Sequence, residues 1–135
     1  MRAYFSRRYT ISASHRLHSE AFTEEQNAAM FGKCNNPHGH GHNYVVEVTV
    51  GGQVDGVTGM VCNMVDLDRC VQKEVLERFD HENLNLCAEF ADLVPTTENL
   101  SIRIYGLLKA AIGSAELIGV RIEETRNNSF ECMGG

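Results

Sequence analysis

Two stretches of alternating polar and apolar residues predict β-strands. Over residues 4–15 the alternation places four side chains on one face: Tyr9, Ile11, Ala13 and His15. Over residues 44–50 the even-numbered positions are all apolar, which is typical of a half-buried strand. Glycines and an aspartate within residues 51–56 supply turn residues, so we expect this strand to form a hairpin with a further strand over residues 60–64.

Three other stretches have the residue spacing of helices. Residues 23–26 resemble a capping box and predict a short helix that ends near residue 30. Asp66 is placed to cap a helix that reaches residue 79, with an apolar stripe formed by Leu67, Cys70, Val71 and Val75. Thr96 or Thr97 is placed to cap another helix, whose stripe is Leu100, Ile104, Leu107, Leu108 and Ala111.

A last strand, predicted over residues 117–125, completes the order of elements. Strand, hairpin, two long helices and strand predict an α+β fold, in which a four-stranded antiparallel sheet carries the helices within a single domain over residues 1–135. An open sheet of this kind has two unpaired edges, which proteins seldom leave bare. We therefore expect sheet edges to pair between subunits of an oligomer.

Composition excludes several classes of function. The net charge is −6, from 18 acidic and 12 basic residues, whereas a nucleic-acid-binding protein normally presents a basic face. No apolar run is long enough to span a membrane, and residues 1–8 lack the apolar centre of a signal peptide. Five scattered cysteines without a C-x-x-C spacing argue against a disulfide framework. We expect a cytoplasmic protein that binds neither nucleic acid nor membranes.

A histidine-rich segment gives the strongest indication of chemistry. His38, His40 and His42 alternate with glycines, and residues two apart on an extended segment point to the same side. Together with His15, two of them would form a three-imidazole metal site with an open coordination position, as in catalytic zinc sites. Spacing alone does not decide which two of the three join His15.

Four further residues have side chains suited to catalysis or binding. Cys34 lies in a polar loop beside the histidines, where a metal ion or a lysine would lower the pKa of its thiol. Asp80 and His81 follow the end of a predicted helix and could act as an acid–base pair. Glu124 continues the apolar face of the last strand to the rim of the core, where a carboxylate needs a partner.

Six segments of the chain together form a more specific pattern. They are residues 12–17 (SASHRL), 32–37 (GKCNNP), 39–44 (GHGHNY), 80–84 (DHENL), 96–99 (TTEN) and 124–128 (ETRNN). In this order, and spread over nearly the whole chain, they resemble the 6-pyruvoyl-tetrahydropterin synthase family. The resemblance implies the tunnelling fold, in which a four-stranded antiparallel sheet carries two helices on one face.

The resemblance also implies an assembly and a set of site residues. Three subunits would join their sheet edges into a barrel, two trimers would stack into a homohexamer, and the active sites would lie between subunits. The implied residues are the zinc ligands His15, His40 and His42, the base Cys34, the relay pair Asp80 and His81, and the pterin contacts Thr96, Thr97, Glu98 and Glu124, the last of which also belongs to the catalytic set.

The implied substrate is 7,8-dihydroneopterin triphosphate. The reaction would eliminate triphosphate and oxidise two side-chain hydroxyls while the ring is reduced, so that Zn²⁺ is the only cofactor needed. Two alternatives stay open. One is the related 6-carboxy-tetrahydropterin synthase, which releases acetaldehyde and tends to have the compact spacing C-x-x-x-H-x-H, as Cys34, His38 and His40 do here. The other is a non-catalytic protein that binds zinc or a pterin.

Overall fold

The two long alternating stretches of the sequence become the two longest strands of the protein. In a computed structural model, which describes residues 1–113 and 115–134, the strands are β1 (Arg2–His15), β2 (His40–Gln53), β3 (Glu82–Asn83), β4 (Glu116–Glu123) and β5 (Ser129–Cys132). The helices are α1 (Glu24–Phe31), α2 (Met64–Val71), α3 (Glu77–Phe79) and α4 (Thr97–Ala111). A 3-10 turn over Gly32–Asn35 follows α1, and a π-helical turn over Gln72–Leu76 joins α2 to α3.

The strands form one sheet in the order β3-β1-β2-β4-β5. Neighbouring strands are antiparallel except β1 and β3, which pair in parallel at Ala13 and Ser14. The predicted α+β class is therefore confirmed, but the sheet is mixed and has five strands in the described residues, not four antiparallel ones. The pattern misses β3 and β5 because their 2 and 4 residues are too few to show a period.

The predicted hairpin with residues 60–64 is wrong. These residues form no strand, and β2 pairs with β1 along the whole length of both. Gly51 lies inside β2, where a Cβ atom would stand 2.8 Å from the ring of Tyr4 on the neighbouring strand. This glycine therefore makes room for an aromatic ring. The chain turns later, where the Asp55 carboxylate accepts the backbone N–H groups two and three residues farther on.

The helix predicted from Asp66 begins earlier, at Met64. Its N-cap is Asn63, whose side chain accepts two backbone N–H groups of the first turn at 2.9 and 3.1 Å. The buried side chains from α2 to α3 are four residues apart: Leu67, Val71, Val75 and Phe79. Four residues of an α-helix turn through about 400°, so this stripe would drift around a regular helix. The wider π turn offsets the drift and keeps all four side chains on the core.

The core lies between one face of the sheet and the helices. Its largest fully buried side chains are Ile11, Tyr44, Leu67, Phe79, Leu84, Leu100, Ile104, Leu108 and Ile122. The opposite face is polar and carries ion pairs such as Arg8–Glu47 at 3.0 Å. His15 ends the apolar stripe of β1 and is only 1% exposed. None of the helices in the described part of the chain is long and apolar enough to cross a membrane.

Candidate active site

A cluster of three histidines lies where β1 ends and β2 begins. His15 is the register partner of His40, and their Nε2 atoms are 3.2 Å apart. One ring nitrogen from each of His15, His40 and His42 lies within 4.8 Å of the others, so the three could hold a metal ion. This arrangement follows from strand parity, because side chains two apart on β2 point to the same side. His38 is exposed and lies before β2, outside the cluster.

Hydrogen bonding sets the orientation of His15. Its Nδ1 lies 2.8 Å from the carbonyl oxygen of Pro95, and a carbonyl can only accept, so Nδ1 carries the proton. The Nε2 lone pair then faces the other two histidines and is free to bind a metal. Burial lowers the pKa of both His15 and His42, which favours the neutral imidazole that metal binding requires.

Two features of the cluster fit a metal ion. The Nε2 atom of His42 is buried and has no hydrogen-bond partner among the described residues, although buried polar atoms are nearly always paired. Gly39 has a φ of 71°, and a Cβ atom there would stand 2.9 Å from the carbonyl oxygen of His15. Glycine at this position therefore lets the loop approach β1 closely enough to bring the histidines together.

Cys34 lies in the 3-10 turn beside the cluster. Its carbonyl accepts the backbone N–H of Leu17 at 2.7 Å, which fixes the turn against the segment that follows β1. With Lys33, Asn36 and His40 it lines a depression of about 570 Å³. Burial, followed by the negative charge of Glu124, raises the pKa of the Cys34 thiol. In the metal-free protein the shift is therefore opposite to the lowered pKa that the sequence predicts.

Glu124 is held near the cluster by a residue in the first turn of α4. Thr97 is 2% exposed, and its hydroxyl donates to the Glu124 carboxylate. The charge of this carboxylate acts on the pKa of Cys34 and of His42, so Glu124 faces the same site. Thr96 caps α4 by accepting the N–H of the residue three positions on. Glu98 is exposed and lines a groove between α4 and β5.

Asp80 and His81 form a tight turn after α3. The Asp80 carboxylate accepts the backbone N–H of Ser12 at 2.8 Å, and the backbone N–H of His81 donates to the Ser12 carbonyl at 2.6 Å. His81 has a φ of 63°, a backbone conformation that few residues other than glycine adopt. Its Nδ1 lies 3.7 Å from the Asp80 carboxylate, and its side chain is 80% exposed. This distance exceeds that of a hydrogen bond.

The structure does not place Cys34 and His81 in one cavity. His81 lines a cavity of about 550 Å³ with Ser12, Ser14 and His42 on the sheet, whereas Cys34 lines the depression beside His40. Within one chain the two candidate proton carriers therefore line different cavities, His81 the one that His42 also lines and Cys34 the one that His40 also lines.

Comparison with known proteins gives the chain a family. A model of the 6-pyruvoyl tetrahydropterin synthase family matches residues 4–135. The chain belongs to this family. The 6-pyruvoyl tetrahydrobiopterin synthase of Homo sapiens is 46% identical over 133 residues, which cover 98% of this chain and 92% of the human protein. That of Poecilia reticulata is 47% identical over 132 residues, covering 97% and 90%.

A solved structure agrees with the family assignment. The 6-pyruvoyl tetrahydropterin synthase of Caenorhabditis elegans superposes with a TM-score of 0.94 at 40% identity, and the match covers 100% of this chain and 97% of that one. Since both sequence and fold match over nearly the full length, the chain is an enzyme of this synthase family.

Sequence reasoning misses two contributors to the site. The Pro95 carbonyl depends on a tertiary contact, for which a single sequence carries no signal. Tyr44 is different, because it shares the face of His40 and His42 on β2 and lies against both His42 and His15. Its parity could have placed it in the site.

Proposed function

We propose that this protein converts 7,8-dihydroneopterin triphosphate to 6-pyruvoyl-tetrahydropterin in a Zn²⁺-dependent reaction. The observation that carries the proposal is the family match over residues 4–135, together with a three-histidine cluster that contains an unpartnered buried nitrogen. Triphosphate elimination and an internal transfer of electrons from the side chain to the ring account for the product. No nicotinamide cofactor is then required.

His15, His40 and His42 are the proposed zinc ligands. Three neutral imidazoles leave a coordination position for substrate, which is the pattern of catalytic rather than structural zinc. Zn²⁺ bound there would withdraw charge from the oxygens of the substrate side chain and make the adjacent C–H groups more acidic. The Pro95 carbonyl would keep the His15 ring in its binding orientation.

Cys34 is the proposed base that removes a proton from a side-chain carbon. Burial and the charge of Glu124 raise the pKa of this thiol, so we propose that the thiolate forms only once the metal ion and the substrate are in place. His81, held by the Asp80 turn, would exchange a proton with a side-chain oxygen of the substrate. The exposure of its imidazole leaves it free to reach such an atom.

Glu124 is the proposed anchor of the pterin ring. A carboxylate accepts two hydrogen bonds from the guanidine-like edge of a pterin, and this bidentate contact fixes the orientation of the ring. Thr97 holds one carboxylate oxygen in place from the first turn of α4. Thr96 and Glu98 flank Thr97 on that turn, and we assign them to the rim of the pterin pocket.

The proposed assembly is a homohexamer built from two trimers. β1 pairs with β3 only at Ala13 and Ser14, so the rest of its outer edge is free in the described chain, and β5 forms the other edge. Pairing these edges between copies would close a barrel of three subunits and satisfy the exposed backbone groups. Five free thiols fit a reducing compartment, and we propose a cytoplasmic location.

Positions in the cluster favour this reaction over that of 6-carboxy-tetrahydropterin synthase. The compact spacing from Cys34 would require His38 and His40 as ligands, yet His38 is exposed and outside the cluster. The cluster instead contains His40 and His42 together with His15, so five residues, not three, separate Cys34 from the next histidine ligand.

Anaerobic incubation of the zinc-loaded protein with 7,8-dihydroneopterin triphosphate tests the proposal. We expect free triphosphate and a product that retains all three side-chain carbons, lost on chelation and regained with Zn²⁺. Acetaldehyde with a shortened side chain would assign the carboxy reaction, and absence of turnover would leave a binding role. Cys34→Ala should abolish turnover, whereas Cys62→Ala, which changes a thiol outside the histidine cluster, should retain it.

A further inference from the structure

Residues 16–19 follow β1 as irregular backbone, and asparagine side chains take the place of a neighbouring strand. The Asn85 amide accepts the backbone N–H of Arg16 at 2.7 Å and donates to its carbonyl at 2.9 Å. The Asn27 amide does the same for Ser19, at 2.8 and 3.0 Å. The segment therefore has a fixed course, because side-chain amides satisfy its backbone groups.

Leu17, which lies between these two clamped residues, is held by the turn that carries Cys34. Its N–H donates to the Cys34 carbonyl at 2.7 Å, and the side-chain amide of Asn35 donates to its carbonyl at 2.8 Å. A carbonyl only accepts, so the Asn35 atom that faces it is the amide nitrogen. The same nitrogen lies 3.0 Å from Nδ1 of His18. Two successive residues of the turn therefore clamp one residue of the segment.

The Cys34 turn depends on this clamp more than on its own hydrogen bonds. The turn has no side-chain cap at its start among the described residues, and a backbone hydrogen bond of 3.3 Å closes its end. Leu17, in contrast, lies two residues after His15, which is buried at the end of β1. The Arg16 guanidinium adds a hydrogen bond to the Asn35 carbonyl at 3.1 Å. The clamp thus fixes the turn to a rigid strand end that carries a proposed metal ligand.

We propose that Asn35 is a positioning residue. By donating to the Leu17 carbonyl, its side chain holds the Cys34 thiol in place beside the histidine cluster. Cys34 and His40 line the same depression, so a shift of the turn would change the distance between the thiol and the cluster. This inference rests on the proposed function only in naming Cys34 as the base.

The test measures how fast iodoacetamide alkylates Cys34 in the metal-free protein. All five thiols are half-buried, so alkylation requires local opening, and mass analysis of peptides gives a rate for each thiol. The other four thiols are internal standards. Asn35→Ala deletes the clamp. Asn85→Ala is the matched control, because it deletes an amide that holds the same segment at Arg16 instead of at the Cys34 turn.

We expect Cys34 to react about ten-fold faster in Asn35→Ala than in the wild type, the factor that corresponds to about one net hydrogen bond. The other four thiols should keep their rates, and Asn85→Ala should leave all five rates within about two-fold of the wild type. Equal acceleration of all five thiols would show a general loosening, and equal Cys34 rates in the two variants would show no specific role for Asn35. Either result would overturn the inference.

Two further measurements separate a hydrogen bond from packing. Asn35→Asp keeps the shape of the side chain but cannot donate to a carbonyl, so Cys34 should react as fast as in Asn35→Ala. A wild-type rate in Asn35→Asp would mean that shape, not the hydrogen bond, holds the turn. In the zinc-loaded enzyme, kcat of Asn35→Ala should fall at least about ten-fold while KM changes less than about three-fold, because Glu124 is untouched.

An unchanged kcat would contradict the positioning role. Wild-type protein without turnover would count against the proposed function, whereas an acceleration confined to Cys34 would still support the clamp.

Discussion

The histidine cluster and the Asp80–His81 turn both lie at the end of β1, but they are built differently. His15 is 1% exposed and its ring is fixed by a buried side-chain hydrogen bond. His81 is fixed only through its backbone, and its side chain is 80% exposed. The cluster is therefore complete within one chain. The turn presents its imidazole outward, so its chemistry depends on what covers it, which in the proposed assembly is another subunit.

Removing one histidine of the cluster should have the largest effect. His42→Ala deletes a ligand and leaves two nitrogens, so we expect metal affinity to fall by at least about a thousand-fold, since losing an outer-shell partner alone costs about 10- to 100-fold. Zinc content after dialysis measures this. His38→Ala, which changes a neighbouring histidine outside the cluster, should retain its zinc. A comparable loss in His38→Ala would mean that the ligand set is wrong.

Mixing two inactive variants tests whether the turn completes a site in another subunit. Cys34→Ala and His81→Ala should each lack turnover while keeping zinc. If Cys34 and His81 act from different subunits, about one interface in four of an equal, randomly assembled mixture carries both native residues. We therefore expect about a quarter of the wild-type activity after joint refolding. Activity no higher than that of either variant would place both residues of one site in the same chain.

Backbone strain at His81 predicts a smaller effect on stability. A residue other than glycine in the left-handed conformation costs about 1–2 kcal/mol, and glycine loses about 0.4–1 kcal/mol through the greater freedom of its unfolded chain. The free energy of unfolding, measured in urea, should therefore be about 0.5–1 kcal/mol higher for His81→Gly than for His81→Ala. At His38, which lies outside the left-handed region, the order should reverse. The same order at both positions would show that strain is not the cause.

The parts of the fold that sequence could predict are those with a long local period. The alternation over residues 4–15 places His15 at the end of an apolar face, and the parity of His38, His40 and His42 puts these three on one side of the chain. Parity alone does not decide which two of them join His15; the structure shows that they are His40 and His42. The short strands and the role of Gly51 depend on what lies across the sheet. A glycine that faces an aromatic ring looks, in sequence, like a glycine in a turn.

The same division holds within the candidate site. Residue type and position together made Cys34, Glu124 and the Asp80–His81 pair candidates, because Cys34 lies beside the histidines, Glu124 ends the apolar face of the last strand, and the pair follows a predicted helix. The raised pKa of the Cys34 thiol and the bond from Thr97 to Glu124 come from burial and packing. Neither has a sequence period, so neither could be predicted.

We expect the smallest effect from a change at Asp68. It tests whether the Asp80–His81 turn can be disturbed without disturbing the histidine cluster. Its carboxylate accepts the Tyr9 hydroxyl at 2.7 Å and the Arg7 guanidinium at 2.7 and 3.1 Å, which ties α2 to β1. The Tyr9 hydrogen bond, followed by that of Arg7, lowers the pKa of the Asp68 carboxyl. A carboxyl whose pKa is lower in the folded state stabilises the fold above its unfolded pKa of about 3.9, and this contribution is lost as pH falls through the folded pKa.

Asp68→Asn should therefore lower the urea midpoint at pH 5–7, and the difference from wild type should shrink below about pH 4. Because α2 leads through the π turn and α3 to Asp80, we expect turnover to fall modestly while Co²⁺ affinity is unchanged. Asp66→Asn, on the same helix, should have little effect, because Asp66 is exposed and its nearest guanidinium is 3.7 Å away. A loss of Co²⁺ affinity in Asp68→Asn would show that the cluster also depends on this helix, and the two regions would then not be independent.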